Sequence, residues 1–480
     1  MDAPSKTIPI VPAPAASATP EEVSLYEISR KIYPRAVHGW FAGWRWALVW
    51  LTQLVFYGLP WISWNGRQSV LFDLTARKFY VFGLVFWPQD VIYLTVLLIL
   101  SAYALFLFTA VAGRLWCGYA CPQTVYTEIF LWVERRIEGD RVARMRLDAQ
   151  PASIEKFVKK AVKHTAWIAI ALWTGYTFVG YFTPIRDLAL RVVTADLGPW
   201  ESFWILFYAF ATYGNAGWMR EQVCTYMCPY ARFQGVMFDH DTMIIAYDTA
   251  RGDPRGARSR SADPRAKGLG DCVDCEICVQ VCPTGIDIRN GLQMECIGCA
   301  ACIDGCDQVM DRMGYARGLI RYASENAMTQ GYGGREMWRR VLRPRTLVYG
   351  ALFVAISAAA LGSLAMRNPL KVDVLRDRGA LAREAAPGVV ENVYRLQIMN
   401  TTEVPQRFEI RARGLPGLAV AGVEQPVAVD ASGVRSVPLR LTTAADAAEP
   451  GTHRIDIEVA SVDLPGLKRE ERSTFILPRL

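Results

Sequence analysis

The sequence predicts a multi-span α-helical membrane protein that contains a cysteine-rich insertion and ends in an all-β sandwich. Three observations lead to this prediction. Several apolar segments have the length of about 20 residues that a bilayer crossing needs. Eight of the twelve cysteines lie within 35 residues, and the C-terminal region is free of cysteine and rich in short alternating segments. A chain of 480 residues also exceeds one ordinary domain.

The N-terminal half contains most of the apolar segments. Residues 1–25 are rich in Pro, Ala and Ser and predict a disordered cytoplasmic tail. Residues 26–240 predict a membrane domain with four spans, and residues 346–366 predict a fifth transmembrane helix. The five spans cover 44–62, 90–112, 166–183, 200–218 and 346–366. A buried helix of a soluble protein is the alternative for the third and fourth segments, but their pairing around a short loop favours crossing.

The Lys and Arg residues are distributed unevenly between the predicted spans. Ten lie in 113–165 and seventeen in 219–345, against three in 63–89 and two in 184–199. Because cytoplasmic loops are enriched in these residues, the N-terminus and the cysteine-rich insertion are predicted to be cytoplasmic, and residues after 366 periplasmic. The net charge of +7 follows from this topology. Membrane lipid is therefore an expected partner and nucleic acid is not.

Residues 241–345 predict a cytoplasmic linker followed by a two-cluster, bacterial-type ferredoxin domain. Two runs have the spacing C-x2-C-x2-C-x3-C, in which the fourth cysteine reaches across to the other 4Fe-4S cluster. The predicted ligands are Cys272, Cys275, Cys278 and Cys306 for cluster 1, and Cys296, Cys299, Cys302 and Cys282 for cluster 2. A zinc ribbon is the alternative, but it leaves the third cysteine of each run unused. A disulfide framework is unfavourable in a reducing compartment.

Residues 367–480 predict a periplasmic immunoglobulin-like β-sandwich. About seven short strands are expected, including 393–399, 407–413, 435–442, 453–459 and 473–477, with turn residues between them. The region has no cysteine. Docking to a partner is therefore a more reasonable role for it than chemistry.

The remaining four cysteines form two C-x3-C-P pairs, Cys117 with Cys121 and Cys224 with Cys228. Each pair follows a predicted crossing, which indicates an internal repeat. We predict that the two thiols of a pair share one face of a helical turn at the cytoplasmic membrane surface, with the pairs close together. Four soft ligands suit Cu(I), although the pairs could instead cycle through disulfides or be small buried side chains. The charged residues nearby are interpreted as solvated: Arg114, Glu128, Glu134, Arg220 and Asp239.

The motifs together resemble a known family, the membrane-bound polyferredoxins called cytochrome c oxidase accessory protein CcoG, or FixG and RdxA. The resemblance covers about residues 25–480 and includes G-R-L-W-C-G-Y-A-C-P-Q-T-V-Y-T-E, V-C-T-Y-M-C-P-Y-A-R-F-Q, A-Y-D-T-A-R-G-D-P-R-G and the two cluster runs. It implies a protein of the bacterial inner membrane that reduces Cu(II) to Cu(I) for assembly of a cbb3-type cytochrome oxidase. Oxidase subunits or copper-delivery proteins would be its partners.

The leading hypothesis is therefore an oxidoreductase with cupric reductase activity. Two 4Fe-4S clusters would accept electrons from an unidentified donor and pass them to copper, the substrate, at Cys117, Cys121, Cys224 and Cys228. There are two alternatives, of which the first is also an enzyme and the second is not. One is a quinol dehydrogenase-like polyferredoxin that feeds a periplasmic reductase, and the other is a copper-binding assembly scaffold without redox activity. The sequence is compatible with a homo-oligomer.

Overall fold

The computed structural model describes residues 31–377 and 382–479, so the predicted tail at 1–25 lies outside the described residues. Residues 31–240 are mainly helical. In chain order the helices are α1 Trp40–Gly58, α2 Val91–Ala112, α3 Leu115–Tyr119, α4 Pro122–Glu138, α5 Arg141–Ala149, α6 Ile154–Val179, α7 Ile185–Val193, α8 Pro199–Thr212 and α9 Pro229–Met237.

Two helices of the described chain are long and apolar enough to cross a membrane, Pro88–Ala112 and Pro344–Ala365. They pack against each other, with the rings of Tyr103 and Phe353 stacked at 6.4 Å. The other three predicted spans are also helical, but α6 begins at Ile154 and has a lysine-rich first half. Beyond Thr212, α8 continues as π-helical turns over Tyr213–Met219. Crossing by these three helices stays a prediction.

The segment between α1 and α2 folds into two small antiparallel sheets that the sequence did not predict. The strands are β1 Ser63–Trp64, β2 Arg67–Gln68, β3 Val70–Asp73, β4 Lys78–Val81 and β5 Leu84–Phe86. Val85 and Trp87 pack on Met399 of the C-terminal domain. Asp90 forms an ion pair at 2.7 Å with Arg367, and Arg67 forms one at 2.7 Å with Glu403. This segment and the C-terminal domain therefore lie on the same side of the helices.

The cysteine-rich insertion is small and loop-rich. Strands β6 Ile244–Tyr247 and β7 Ile320–Ala323 pair antiparallel and bring its two ends together. Its helices, and the helix that follows it, are α10 Thr249–Gly252, α11 Ile277–Gln280, α12 Ala301–Met313, α13 Glu325–Gln330, α14 Gly334–Val341 and α15 Pro344–Ala365. The first turn of α1 is attached to this unit, because Asp304 accepts hydrogen bonds from the backbone N–H groups of Phe41 at 3.2 Å and Ala42 at 2.7 Å.

The C-terminal domain is a β-sandwich, as predicted. Its strands are β8 Leu370–Arg376, β9 Arg383–Ala386, β10 Val389–Asn400, β11 Gln406–Arg413, β12 Ala419–Ala421, β13 Val427–Val429, β14 Val434–Ala444, β15 Gly451–Ser461 and β16 Lys468–Leu477. One sheet has the order β12-β14-β10-β8 with β9 beside β10, and the other has the order β13-β11-β15-β16. Alternate residues such as Leu396, Leu439 and Ile457 fill the core between the sheets.

Candidate metal centres

The first cysteine cavity lies inside the insertion and is bordered by Cys272, Cys275, Cys278 and Cys306. The first three thiols come from one loop and from α11, whereas Cys306 comes from α12. Apolar side chains, including Ile277 and Met310, close the rest of the wall. The structure thus brings to one cavity the four cysteines that the sequence assigns to cluster 1.

The second cysteine cavity is bordered by Cys282, Cys296, Cys299 and Cys302, and Cys278 also reaches its wall. Cys299 and Cys302 are buried. Cys282 belongs to the first run of the sequence but lines the cavity of the second run. The four cysteines that the sequence assigns to cluster 2 therefore also share one cavity.

Both loops wind around their cavities with the same backbone pattern. The residue before the second cysteine has positive φ in each run, +51° at Asp274 and +69° at Gly298. The residue after the second cysteine does too, with +53° at Glu276 and +59° at Ala300. Left-handed residues between right-handed ones turn backbone N–H groups toward an enclosed space, which favours anionic groups there. A cluster with thiolate and sulfide ligands is such a group.

The cysteine cavities fit iron–sulfur clusters better than single metal ions. All twelve cysteines are free, with none in a disulfide. Within residues 31–377 and 382–479, no three His, Cys, Asp or Glu side chains form a group that could hold one ion. Thiolates around a cubane each bind a different iron, so they stand farther apart than the ligands of one zinc ion. Burial raises the pKa of the Cys278 and Cys306 thiols to about 12, so a bound cation is needed to stabilise the thiolates.

The C-x3-C-P pairs do not have the local geometry that the sequence predicted. Cys117 lies in α3, but Cys121 is extended, with φ −61° and ψ 128°, and caps α4. Likewise Cys224 lies in the π-helical turn Val223–Met227, and Cys228 caps α9. The prediction of two thiols on one helical face was wrong because proline disfavours the helical conformation of the residue before it. Each proline instead begins a new helix.

The two pairs nevertheless lie close to each other. Burial, Cys121 and Cys224 all raise the pKa of Cys117, which reaches about 12. Burial, Cys121 and Cys228 likewise raise the pKa of Cys224, which reaches about 11. Gln234 is fully buried, and its Oε1 accepts a hydrogen bond from the Cys117 thiol at 3.5 Å. The four thiols therefore lie near one another between α3, α4 and α9, although among the described residues no three of them stand close enough to hold one ion as they are.

This group of thiols abuts the second cysteine cavity. A Cβ atom on Gly118 would lie 2.7 Å from Cα and 2.8 Å from N of Cys299, so the two backbones are in direct contact. Cys117 and Cys224 pack against the core that contains the cluster cysteines. Arg114 donates hydrogen bonds to the carbonyl oxygens of Met294, in the cluster loop, and Ala231, in α9. The thiol pairs and the second cavity are thus one structural unit.

Two of the charged residues interpreted as solvated, Arg114 and Glu134, are in fact buried. Arg114 contacts the cluster loop, as described above, and is 7% exposed. Glu134 is 1% exposed and forms ion pairs with Arg144 at 2.9 Å, Arg220 at 3.1 Å and Lys163 at 3.6 Å. Burial acts to raise the pKa of Glu134, but Arg220, Arg144 and Lys163 outweigh burial and hold the pKa below its ordinary value. Glu134 therefore stays charged and connects α4 to α5, α6 and the second cysteine pair.

Replacing Glu134 by glutamine is expected to destabilise the protein by about 3–5 kcal/mol, because removing one partner leaves buried cations without compensation. The measurement is thermal unfolding of the purified protein in detergent. The wild type should lose this stabilisation as the pH falls below the ordinary carboxyl range, since the pKa of Glu134 is lowered in the folded state. E134Q should lack that pH dependence.

The matched control is Glu155→Gln in the exposed ion pair with Lys159 on α6. Exposed ion pairs contribute little to the free energy of unfolding, so the unfolding temperature of E155Q should match that of the wild type. Equal unfolding temperatures for E134Q and E155Q would contradict a stabilising role for the buried network.

The comparisons with known proteins agree with this architecture. Family models match at residues 219–325 (4Fe-4S dicluster domain), 94–139 (4Fe-4S binding domain) and 360–478 (IG-like fold at the C-terminal of FixG). The nitrogen fixation protein FixG of Rhizobium meliloti is 38% identical over 92% of this chain and 94% of its own length. Protein RdxA of Cereibacter sphaeroides is 39% identical over 92% of this chain and 95% of its own length.

More distant likenesses cover parts of the chain. The ferredoxin-type protein NapH of Escherichia coli is 22% identical over 56% of this chain and 89% of its own length. The crystal structure of a FixG-related protein from Vibrio parahaemolyticus aligns with 24% of this chain and 100% of that chain, with 26% identity and a TM-score of 0.22.

Proposed function

We propose that this chain, which belongs to the FixG and RdxA family of iron–sulfur electron-transfer proteins, reduces Cu(II) to Cu(I) at the C-x3-C-P cysteines. The contact of Gly118 with the Cys299 backbone is the observation that supports this most directly. It joins the thiol group to the second cysteine cavity without an intervening element. Electrons that arrive at the cavity therefore have a short path to a metal bound by the thiols.

The cluster ligands in this proposal follow the two cysteine cavities. Cys272, Cys275, Cys278 and Cys306 hold one 4Fe-4S cluster, and Cys282, Cys296, Cys299 and Cys302 hold the other. Bound there, the clusters supply one-electron storage. Arg45 and Tyr322 fix the second loop, since they donate hydrogen bonds at 2.7 Å to the carbonyl of Cys299 and at 2.6 Å to that of Gly298.

The chemistry at the thiol group follows from ligand softness. One electron added to Cu(II) gives Cu(I), which prefers thiolate sulfur over harder ligands. Cys121 and Cys228 occupy the N-cap positions of α4 and α9. Burial raises the pKa of the Cys121 thiol and the backbone N–H groups of Gln123 and Thr124 act against this rise, so a bound copper ion is needed to stabilise the thiolate. The half-buried position of all four thiols leaves them open to an ion that arrives and departs. Cu(I) released from them would go to the assembly of a cbb3-type oxidase, through oxidase subunits or copper-delivery proteins.

The topology in this proposal is a multi-pass protein of the bacterial inner membrane with a cytoplasmic insertion and a periplasmic sandwich. The start of α1 is bonded to Asp304 of the insertion. The segment after α1 instead packs on the sandwich through Val85 and Met399. The two attachments are at opposite ends of α1, a helix about 28 Å long, which is close to the thickness of a hydrocarbon core.

Replacing Cys117 or Cys224 by serine is expected to lower copper reduction by about tenfold or more, because a hydroxyl is a poor ligand for Cu(I). The experiment uses anaerobically purified protein with full iron content, reduced with dithionite and freed of excess reductant. Cu(II) is then added together with a colorimetric Cu(I) chelator.

The matched control is Met227→Leu, which removes an exposed sulfur next to Cys228 and should leave the rate unchanged. Equal rates for C117S, C224S and the wild type would place copper reduction elsewhere. Loss of iron in C117S would instead make the pair a cluster ligand, which is a different function from the one proposed. Copper binding without any reduction would support a non-redox scaffold.

A further inference from the structure

A large cleft separates α1 from α4 and α6 and ends at the second cysteine cavity. Its volume is about 1360 Å³, above the roughly 300–1,000 Å³ of ordinary small-molecule pockets. Its wall on α1 extends from Ala42 to Gly58, which is roughly 24 Å of helix. Cys299 and Cys224 both line the end that lies toward the insertion. The cleft therefore connects the helical region to both proposed redox sites.

The walls of the cleft are mainly apolar and open sideways. Val49, Leu54 and Trp173 line it along the helices. At its rim, Trp50 is 62% exposed and Leu54 is 66% exposed, on the helical surface where a bilayer would lie. An apolar molecule dissolved in lipid could enter here without crossing water.

The end near Cys299 is polar and has buried groups that lack partners. Arg45 is 8% exposed, and its Nε has no hydrogen-bond partner among the described residues. Farther along α1, Oε1 of Gln53 is also buried without a hydrogen-bond partner in the described part of the chain. Glu128 and Glu221 line the same end. Since unsatisfied buried polar groups are costly, an unpaired donor and an unpaired acceptor that line one cleft indicate a polar ligand.

We propose that this cleft binds an isoprenoid quinol, which is oxidised beside Cys299 and is the electron donor of the protein. The prenyl tail occupies the apolar length of the cleft, and the ring lies among Arg45, Gln53 and Glu221. Arg45 donates to one ring oxygen, and a ring hydroxyl donates to Gln53 or to a carboxylate. Arginines such as Arg135 and Arg220 also line the cleft. A phospholipid headgroup nevertheless fits less well, because its phosphate has no proton to donate to the unpaired Oε1 of Gln53, whereas a quinol hydroxyl has one. The inference deepens the proposed function, on which it rests for the destination of the electrons.

The oxidation is balanced in electrons and protons. Quinol loses two electrons and two protons: both O–H bonds break and two C=O bonds form. The carboxylates of Glu221 and Glu128 accept the protons and release them to water on the side of the insertion. The electrons leave one at a time past Cys299, and the two oxidised 4Fe-4S clusters of the proposed function are the acceptors, one electron each.

The test begins with binding, which does not depend on the clusters. A short-chain ubiquinone analogue is titrated into the full-length protein in detergent, and quenching of tryptophan fluorescence is followed, since Trp46, Trp50 and Trp173 line the cleft. Q53L and E221Q should each weaken binding by about fivefold or more, since each removes one polar contact. Thr52→Val is the matched control, because Thr52 is next to Gln53 but bonds to its own helix at Leu48.

Reduction by quinol is the second measurement. The reduced analogue should bleach the visible iron–sulfur absorbance of the wild type and of T52V, and should do so more slowly in Q53L. The proposal is overturned if quinone binds equally to Q53L and T52V, if no quenching occurs, or if only phospholipid competes for the cleft. Copper reduction by dithionite-treated wild type bypasses the cleft. Its failure, with quinone binding intact, would overturn the proposed function and leave the quinol site in place.

Discussion

Replacement of Cys282 by alanine is expected to remove the same half of the iron as replacement of Cys299, although Cys282 belongs to the first cysteine run. The reason is geometric, since Cys282 and Cys299 border the second cysteine cavity, whereas Cys306 borders the first. A cubane that loses one of four thiolates is expected to be lost or strongly destabilised. Each single variant should therefore retain about half of the iron, measured by chemical analysis and by electron paramagnetic resonance of the reduced protein.

Double variants separate this grouping from the sequential one. Cys282→Ala combined with Cys299→Ala should lose no more iron than either change alone. Cys282→Ala combined with Cys306→Ala should lose nearly all of it, because both cavities are then damaged. Nearly complete loss of iron in the Cys282→Ala, Cys299→Ala double variant would mean that each run of four cysteines binds its own cluster, and the assignment from the cavities would be wrong. The Cys282→Ala, Cys306→Ala variant loses both clusters under either grouping and shows how much iron remains when both are damaged.

The grouping of the cysteines could be derived from sequence because it depends on local spacing. Three thiols at intervals of three residues can surround one corner of a cubane, and the fourth must come from the other run. The spacing rule groups the cysteines in the same way as the cavities do.

The alternation of apolar and polar residues in the sandwich is also a local pattern, and the five strands predicted by position lie within β10, β11, β14, β15 and β16. The short strands β9, β12 and β13 were missed because three or four residues show too little alternation.

Features that depend on contacts between residues far apart in the sequence could not be predicted from the sequence alone. Arg114 and Glu134 were interpreted as solvated charges, since nothing in the sequence shows that the fold places hydrogen-bond and ion-pair partners beside them in the interior. The strands between α1 and α2 are stabilised partly by contacts with the sandwich, more than 300 residues away, as in the pair of Arg67 with Glu403. The cleft has walls from three separate helices and leaves no local pattern. The glycine between Cys117 and Cys121 was the one available signal, because glycine often marks a close backbone approach.

Gly118→Ala is expected to slow electron transfer to copper by about tenfold or more, because reaction rates are very sensitive to displacements of about 1 Å. The new methyl group would lie 2.7 Å from Cα of Cys299, and backbone atoms cannot move aside as a flexible side chain can. Helix α3 must therefore shift away from the cluster loop and take Cys117 with it. All twelve cysteines remain in this variant, so its iron content should stay close to that of the wild type. The measurement is single-turnover copper reduction by dithionite-reduced protein.

Gly350→Ala is the matched control, because a Cβ atom there meets nothing within 4 Å. Its rate should equal that of the wild type. G118A with full iron and an unchanged rate would mean that the contact between α3 and the cluster loop is not part of the electron path. If G118A also loses iron, its rate of copper reduction cannot by itself distinguish cluster damage from slower electron transfer. Copper binding by the oxidised protein then distinguishes these two effects. If G118A binds copper but does not reduce it, the electron path is interrupted while the thiol pairs are intact. If G118A loses both copper binding and copper reduction, the contact between α3 and the cluster loop has only a structural role.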